Sequence, residues 1–376
     1  MEPMTRAVAL LDLPLIFGDL LVSADDLRDR IPQAHSMAHE QIGKVRAGLF
    51  VPLCLAAAAP FALALVNQPA PPIGEPIAPI VGIGPSDQAK IALGESLFND
   101  VRLSHDDVIA CSGCHRLDLS GDDGRARSTA ADGEPLDFNT PTVFNATLDF
   151  RLNWRGNFRT LEEQNEAALL DDRLMNTSWE ELLPKLRSDP DYSRRFADVY
   201  GAAPGQAEVL DALAIFQRSL ITPNARFDRY LKGERGAITA DEEHGYQLFK
   251  AYGCIACHQG ANVGGNLFQK FGIFQDPFAG QKTLSQADLG RFAITGAESD
   301  RHVFRVPSLR NVAVTAPYFH DGRTASLGQA VRIMARNQLG REIDQRDADL
   351  IVEFLGTLTG EYRGQPLTSA ADRLQQ

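Results

Sequence analysis

The chain has 376 residues, enough for two domains that each bury a core. Hydrophobic residues make up 44% and charged residues 23%, the balance of an ordinary soluble globular protein. A formal net charge of −12 argues against nucleic acid and suits basic or neutral partners.

In chain order, residues 47–66 (AGLFVPLCLAAAAPFALALV) carry no charge and follow Lys44 and Arg46, the pattern of a secretory signal. The run is also long enough to span a bilayer, so 44–66 reads as a signal peptide or a membrane anchor. Residues 1–43 read as a start-site artefact or a disordered extension, with Met37 the better start. Cys54, inside the apolar run, reads as a small apolar residue. Residues 67–86 are proline-rich and are expected to form a semi-extended tether rather than packed structure.

Beyond the tether the pattern is helical. Ile91, Leu93, Leu97 and Phe98 form an apolar stripe ahead of Cys111-Ser112-Gly113-Cys114-His115. Val209, Leu210, Leu213, Phe216, Gln217 and Leu220 predict another helix, ended by Thr222-Pro223-Asn224. The polar stretch Gly233–Gly236 divides an N-terminal domain, 87–235, from a C-terminal domain, 236–376. Thr239 and Glu242 make a capping box that opens a helix leading to Cys254-Ile255-Ala256-Cys257-His258. Leu327, Val331 and Met334 stand at helical spacing, as do Leu350, Ile351, Phe354, Leu355 and Leu358. No run alternates as a strand should. The expected fold is mainly α, with two cytochrome c-like helical domains each binding one covalent haem c. An echo supports duplication: Leu93-Gly94 and Leu97-Phe98 before the first motif, Gly245 and Leu248-Phe249 before the second.

The haem assignment rests on the two Cys-x-x-Cys-His motifs. Two thiols three residues apart can form thioethers to one porphyrin, and the adjacent histidine then falls beneath its iron. A zinc site built on such a pair needs further ligands, and the motifs use four of the five cysteines.

The chain also resembles the bacterial di-haem cytochrome c peroxidase family, which includes the di-haem enzymes that mature methylamine dehydrogenase. The likeness runs from 87 to 361 and rests on FNTPTVFNA (138–146), WRGNFRTLEEQ (154–164), TPNARFDRYLKG (222–233), GGNLFQKFG (264–272), FRVPSLRNVAVTAPYFHDG (304–322) and MARNQLGR (334–341). It implies an exported peroxidase that reduces hydrogen peroxide in the periplasm with electrons from a small c-type cytochrome or copper protein. It implies His115 as proximal ligand of the peroxide-reacting haem, and His258 with Met334 as axial ligands of the electron-transferring haem. Met334 is the only methionine after Met175, and a thioether–imidazole pair raises a haem's potential. By the same resemblance Trp154 lies between the haems, Gln164 lines the peroxide pocket, and Asn139, Thr315 and Pro317 hold Ca²⁺ at the domain interface through neutral oxygens. His320 either braces that interface or touches the chemistry. A homodimer is left open.

Two departures from the family pattern stand out. No histidine occurs between His115 and His244, so the expected removable distal ligand is missing and a five-coordinate or water-bound iron is expected at the first site. Leu174 stands where the family carries an acid–base glutamate; Glu166, Asp171 and Asp172 nearby are read either as substitutes, given a rearranged loop, or as surface charges. Two alternatives to the peroxidase therefore stay open: a non-catalytic electron-transfer or sensory di-haem protein, and an oxidase of a dedicated protein partner. Met334 favours the peroxidase over the maturation branch, which has tyrosine there.

Overall fold

The structure is a computed structural model that describes residues 74–82, 87–281 and 283–370. The leader, the signal or anchor segment and Cys54 lie outside the described residues.

Helices dominate, and they pair in a repeated way. The helix Gln88–Phe98 packs against Gln206–Ser219, and Ala240–Tyr252 packs against Gln345–Gly356. The glycines of the sequence echo explain both crossings. A Cβ on Gly94 would stand 2.0 Å from the carbonyl oxygen of Ala212, and one on Gly245 would stand 2.0 Å from that of Leu350. Only a residue without a side chain lets the backbones approach so closely. An aromatic pair seals each crossing, Phe98 on Phe216 and Phe249 on Phe354, with ring centroids 5.3 Å apart in both cases.

Each pair nucleates its own apolar cluster. Leu93, Leu97, Phe98, Leu182, Phe196, Leu213 and Phe216 belong to one; Phe227, Tyr246, Phe249, Ile351, Phe354 and Leu358 belong to the other. The first is enlarged by three helices that the apolar spacing did not reveal: Leu161–Leu170, Trp179–Ser188 and Pro190–Tyr200. Their start signals are nonetheless in the sequence. Thr160, Ser178 and Asp189 each cap a helix by accepting from its first-turn backbone N–H groups. The capping box at Thr239 and Glu242 is present as expected. Among the described residues, strand structure is confined to two short antiparallel pairs, of which Phe268–Lys270 with Val303–Arg305 matters here because it carries Arg305.

The chain ends cross over. Leu367 joins the first cluster, and Arg363 pairs with Glu95 at 2.7 Å. The tether expectation needs correction in its described part. Ile77 and Ile80 are buried, and Ile77 packs in the second cluster beside an isolated bridge to Gly260. Isoleucines spaced between prolines let an extended segment bury apolar area without forming an internal hydrogen-bond ladder.

Candidate haem sites

The two motifs occupy equivalent turns. Cys111–Cys114 is a single helical turn, closed by the N–H of His115 donating to the Cys111 carbonyl at 2.9 Å. Cys254–Ala256 is a 3₁₀ turn, and the His258 N–H donates to the Cys254 carbonyl at 3.1 Å. Beyond each turn the chain folds back under its own histidine. Nδ1 of His115 lies 3.3 Å from the carbonyl oxygen of Gly121, and Nδ1 of His258 lies 3.3 Å from that of Val263. A carbonyl only accepts, so Nδ1 carries the proton and Nε2 keeps its lone pair for a metal. The fold-back needs unusual backbone: Gly121 and Gly264 have positive φ, and a Cβ on Gly264 would meet the Pro307 carbonyl at 2.2 Å.

Burial pushes both imidazoles below the usual histidine range, His258 to about 4, so both are neutral at pH 7. Burial likewise pushes the Cys111 thiol up to about 12 and that of Cys254 to about 11. Neutral, Nδ1-anchored histidines beside paired thiols fit a covalent haem as donor sets.

His258 faces a cavity of about 460 Å³, inside the ~300–1,000 Å³ range of ligand pockets. Cys254, Cys257 and Met334 share its lining, with Met334 presented from the helix Leu327–Leu339. The resemblance implies that these four belong to one site, and the structure brings them into one cavity. Trp154, Asn139, Thr315 and Pro317 line the same cavity. Nε1 of Trp154 donates to the Asn139 carbonyl at 2.8 Å, and its ring stands edge-on to His320. The Asn139 amide nitrogen donates to the Arg125 carbonyl at 2.9 Å, which turns its Oδ1 the other way. Asn139, Thr315 and Pro317 thus offer neutral oxygens of the kind Ca²⁺ accepts. His320 is buried; its Nε2 lies 2.9 Å from Asp288 Oδ1 and its ring stacks on Phe304.

His115 faces a smaller cavity of about 160 Å³, lined also by Cys111, Cys114, Gln164, Leu174 and Met175. Among the described residues no second histidine lines it. Gln164 Oε1 is buried there without a hydrogen-bond partner among the described residues, the kind of orphan acceptor that a bound group satisfies. The three substitute acids are not in this lining. Glu166 accepts from Nε1 of Trp179 at 3.1 Å and from Gln206, and Asp171 and Asp172 are exposed. Helical periodicity carries Glu166 to the flank opposite Gln164, so of the two readings of these acids the structure favours surface charges over pocket substitutes.

What sequence reasoning missed is a buried ion pair. Asp149 and Arg305 line both cavities, and Oδ2 of Asp149 lies 2.8 Å from Nη1 of Arg305. Asn262 Nδ2 donates to Asp149 Oδ1 at 2.7 Å. Burial raises the Asp149 carboxyl to about 6 despite the guanidinium beside it. Neither residue sits in a periodic pattern, so nothing local marked them. The one available signal was a pair of charges inside blocks otherwise rich in aromatic and apolar residues.

A mainly helical, internally duplicated chain with two Cys-x-x-Cys-His turns, each beside a cavity, is of the c-type cytochrome class. More closely, it belongs to the di-haem cytochrome c peroxidase family, whose model matches residues 88–236. It is 41% identical to the cytochrome c peroxidase Ccp of Escherichia coli (strain K12) over 289 residues, 77% of this chain and 62% of that relative's length. It is 39% identical to the cytochrome c551 peroxidase of Nitrosomonas europaea, covering 76% of this chain and 85% of that one. Among solved structures it resembles a MauG-like protein associated with microbial copper homeostasis, at 28% identity and a TM-score of 0.66, over 76% of this chain and 93% of the other. The family is one of haem oxidoreductases that carry two haem c groups, and this chain is a member of it. No helix among the described residues is long and apolar enough to cross a membrane.

Proposed function

We propose that the protein is an exported peroxidase that reduces hydrogen peroxide to water, drawing electrons from a small periplasmic redox protein. The observation that carries this reading is the inequality of the two cavities: among the described residues, one has a methionine in its lining beside its histidine, and the other has no second histidine. Each domain would hold one covalent haem c. Cys111 and Cys114 anchor the first with His115 as its ligand, and Cys254 and Cys257 anchor the second with His258 and Met334. When bound, haem supplies the redox-active iron that peroxide chemistry requires.

The chain's own residues set the rest. Backbone carbonyls of Gly121 and Val263 hold each histidine in the ligating tautomer. Gln164 presents an unpaired oxygen to peroxide in the His115 cavity. Trp154 fills the wall of the His258 cavity with an indole that can relay an electron. Asn139, Thr315 and Pro317 would bind Ca²⁺ and fix the loops around Trp154. The electron donor, a small c-type cytochrome or copper protein, would deliver to the C-terminal domain.

Stopped-flow mixing of the oxidised holoprotein with hydrogen peroxide tests the reading. A spectral change at the haem within seconds, followed by oxidation of added reduced cytochrome c, is the expected result. An inert spectrum would instead support a carrier. Bis-histidine ligation at the first haem in electron paramagnetic resonance would refute the open site.

A further inference from the structure

The resemblance leaves the His115 cavity without a proton carrier, because Leu174 occupies the place of the acid–base glutamate. The structure narrows the replacements to one. Of all the described residues lining that cavity, Asp149 alone bears a carboxyl group, since Glu166, Asp171 and Asp172 face elsewhere. The Asp149 side chain is 8% exposed, and an ion pair and a hydrogen bond fix it. Arg305 Nη1 approaches Oδ2 at 2.8 Å, and the Asn262 amide donates to Oδ1 at 2.7 Å. Gly265 lies so close beneath Oδ1 that a Cβ there would stand 1.9 Å from it. Arg305 is itself held, its N–H donating to the Trp154 carbonyl at 2.9 Å and its Nε to the Asn153 carbonyl at 3.3 Å.

We propose that Asp149 is the proton-carrying catalytic residue of the His115 cavity, with Arg305 and Asn262 as its positioning residues. The proposal rests on the peroxidase reading above. The Asp149 carboxylate takes a proton from one oxygen of hydrogen peroxide and returns it to the other. That second oxygen then leaves as water as the O–O bond breaks. Over the turnover two electrons from the redox donor and two protons from solvent complete H₂O₂ + 2 e⁻ + 2 H⁺ → 2 H₂O. Arg305 contributes a fixed positive charge beside the negative charge that develops as the bond breaks. A carboxyl raised by burial to about 6 also suits a group that must both accept and donate near neutral pH. Arg305 is the charged group that faces it, and Asn262 and the Gly265 backbone complete its surroundings.

The test uses the holoprotein in two measurements. In the first, peroxide reaction rates are compared between wild type, D149N and D149N/R305Q, the last removing both buried charges together. Both variants should react about 10²- to 10⁴-fold more slowly, the usual loss for a positioned acid–base group. E166Q should match wild type. In the second, sodium fluoride is titrated against the oxidised wild type across pH. Its affinity should fall as pH rises through about 6, because ionised Asp149 repels the anion, and D149N should show no such inflection. A folded variant reacting as fast as wild type overturns the proposal while leaving the peroxidase reading intact. So does a wild-type fluoride affinity without the inflection, a result that needs neither variant to fold. A wild type inert to peroxide overturns both.

Discussion

The two halves of this molecule start from the same parts and end with different sites. Each has a glycine that lets two helices cross against a carbonyl, a phenylalanine pair over the crossing, and a Cys-x-x-Cys-His turn whose histidine is tied back by its own chain. The difference lies in what the opposite wall supplies. The second half presents Met334 from the helix Leu327–Leu339. The first presents Gln164, Leu174 and Met175 around a tighter space. Duplication fixes the scaffold and the histidine-bearing turn, while the rest of each cavity's lining is free to diverge, because it is built by segments outside the repeated helix pair.

The largest expected effect removes one half's cofactor and leaves the other. The double variant C254A/C257A should lose one of two covalent haems, and C111A/C114A the other, read as haem retained on a denaturing gel. Equal loss of both haems from either variant would mean that the halves do not load independently. Next comes the distal asymmetry. M334L should lower the potential of one haem within the span of ~0.8 V that axial ligands control, whereas M175L should leave both potentials in place. A redox titration decides it, and a shift in M175L would break the distinction between the two cavities.

Asp149, on the wall common to both cavities, gives a pH-dependent test. Its folded pKa, about 6, is raised above the ordinary value, so the folded state holds this proton more tightly than the unfolded chain. Its stabilising contribution is therefore complete in acid below pH ~4 and is lost as pH rises to about 6. The size is at most ~3 kcal/mol from the shift between those values. Urea unfolding of wild type and D149N across that range should show the slope in the first and not the second. The smallest effect tests the scaffold itself. G94A and G245A should each destabilise by ~1–3 kcal/mol, because the new methyl meets a backbone carbonyl rather than a movable side chain. Thermal melts that show a cost at only one crossing would mean that the repeat is sequence likeness without shared packing.

Local chemistry was legible from the chain. A Cys-x-x-Cys-His pentapeptide needs only one turn of backbone to place its three side chains, and the capping box at Thr239 needs only four residues. Apolar spacing likewise announced the paired helices. It left out Trp179–Ser188 and Pro190–Tyr200, whose low overall apolar content hides a strongly one-sided apolar face, although the caps at Ser178 and Asp189 were readable. The carboxylates near Gln164 looked like substitutes by sequence distance, but a helix turns neighbours onto different faces.

The sequence by itself determined the two Cys-x-x-Cys-His motifs and the helical class, both of which depend on residues within a turn or two of one another. Only the tertiary structure decided which side chains share a cavity. Asp149 and Arg305 meet because a loop of the first half and a short strand of the second are buried against each other. A charge pair of that kind is chosen by long-range packing and desolvation, and neither leaves a periodic mark on the chain.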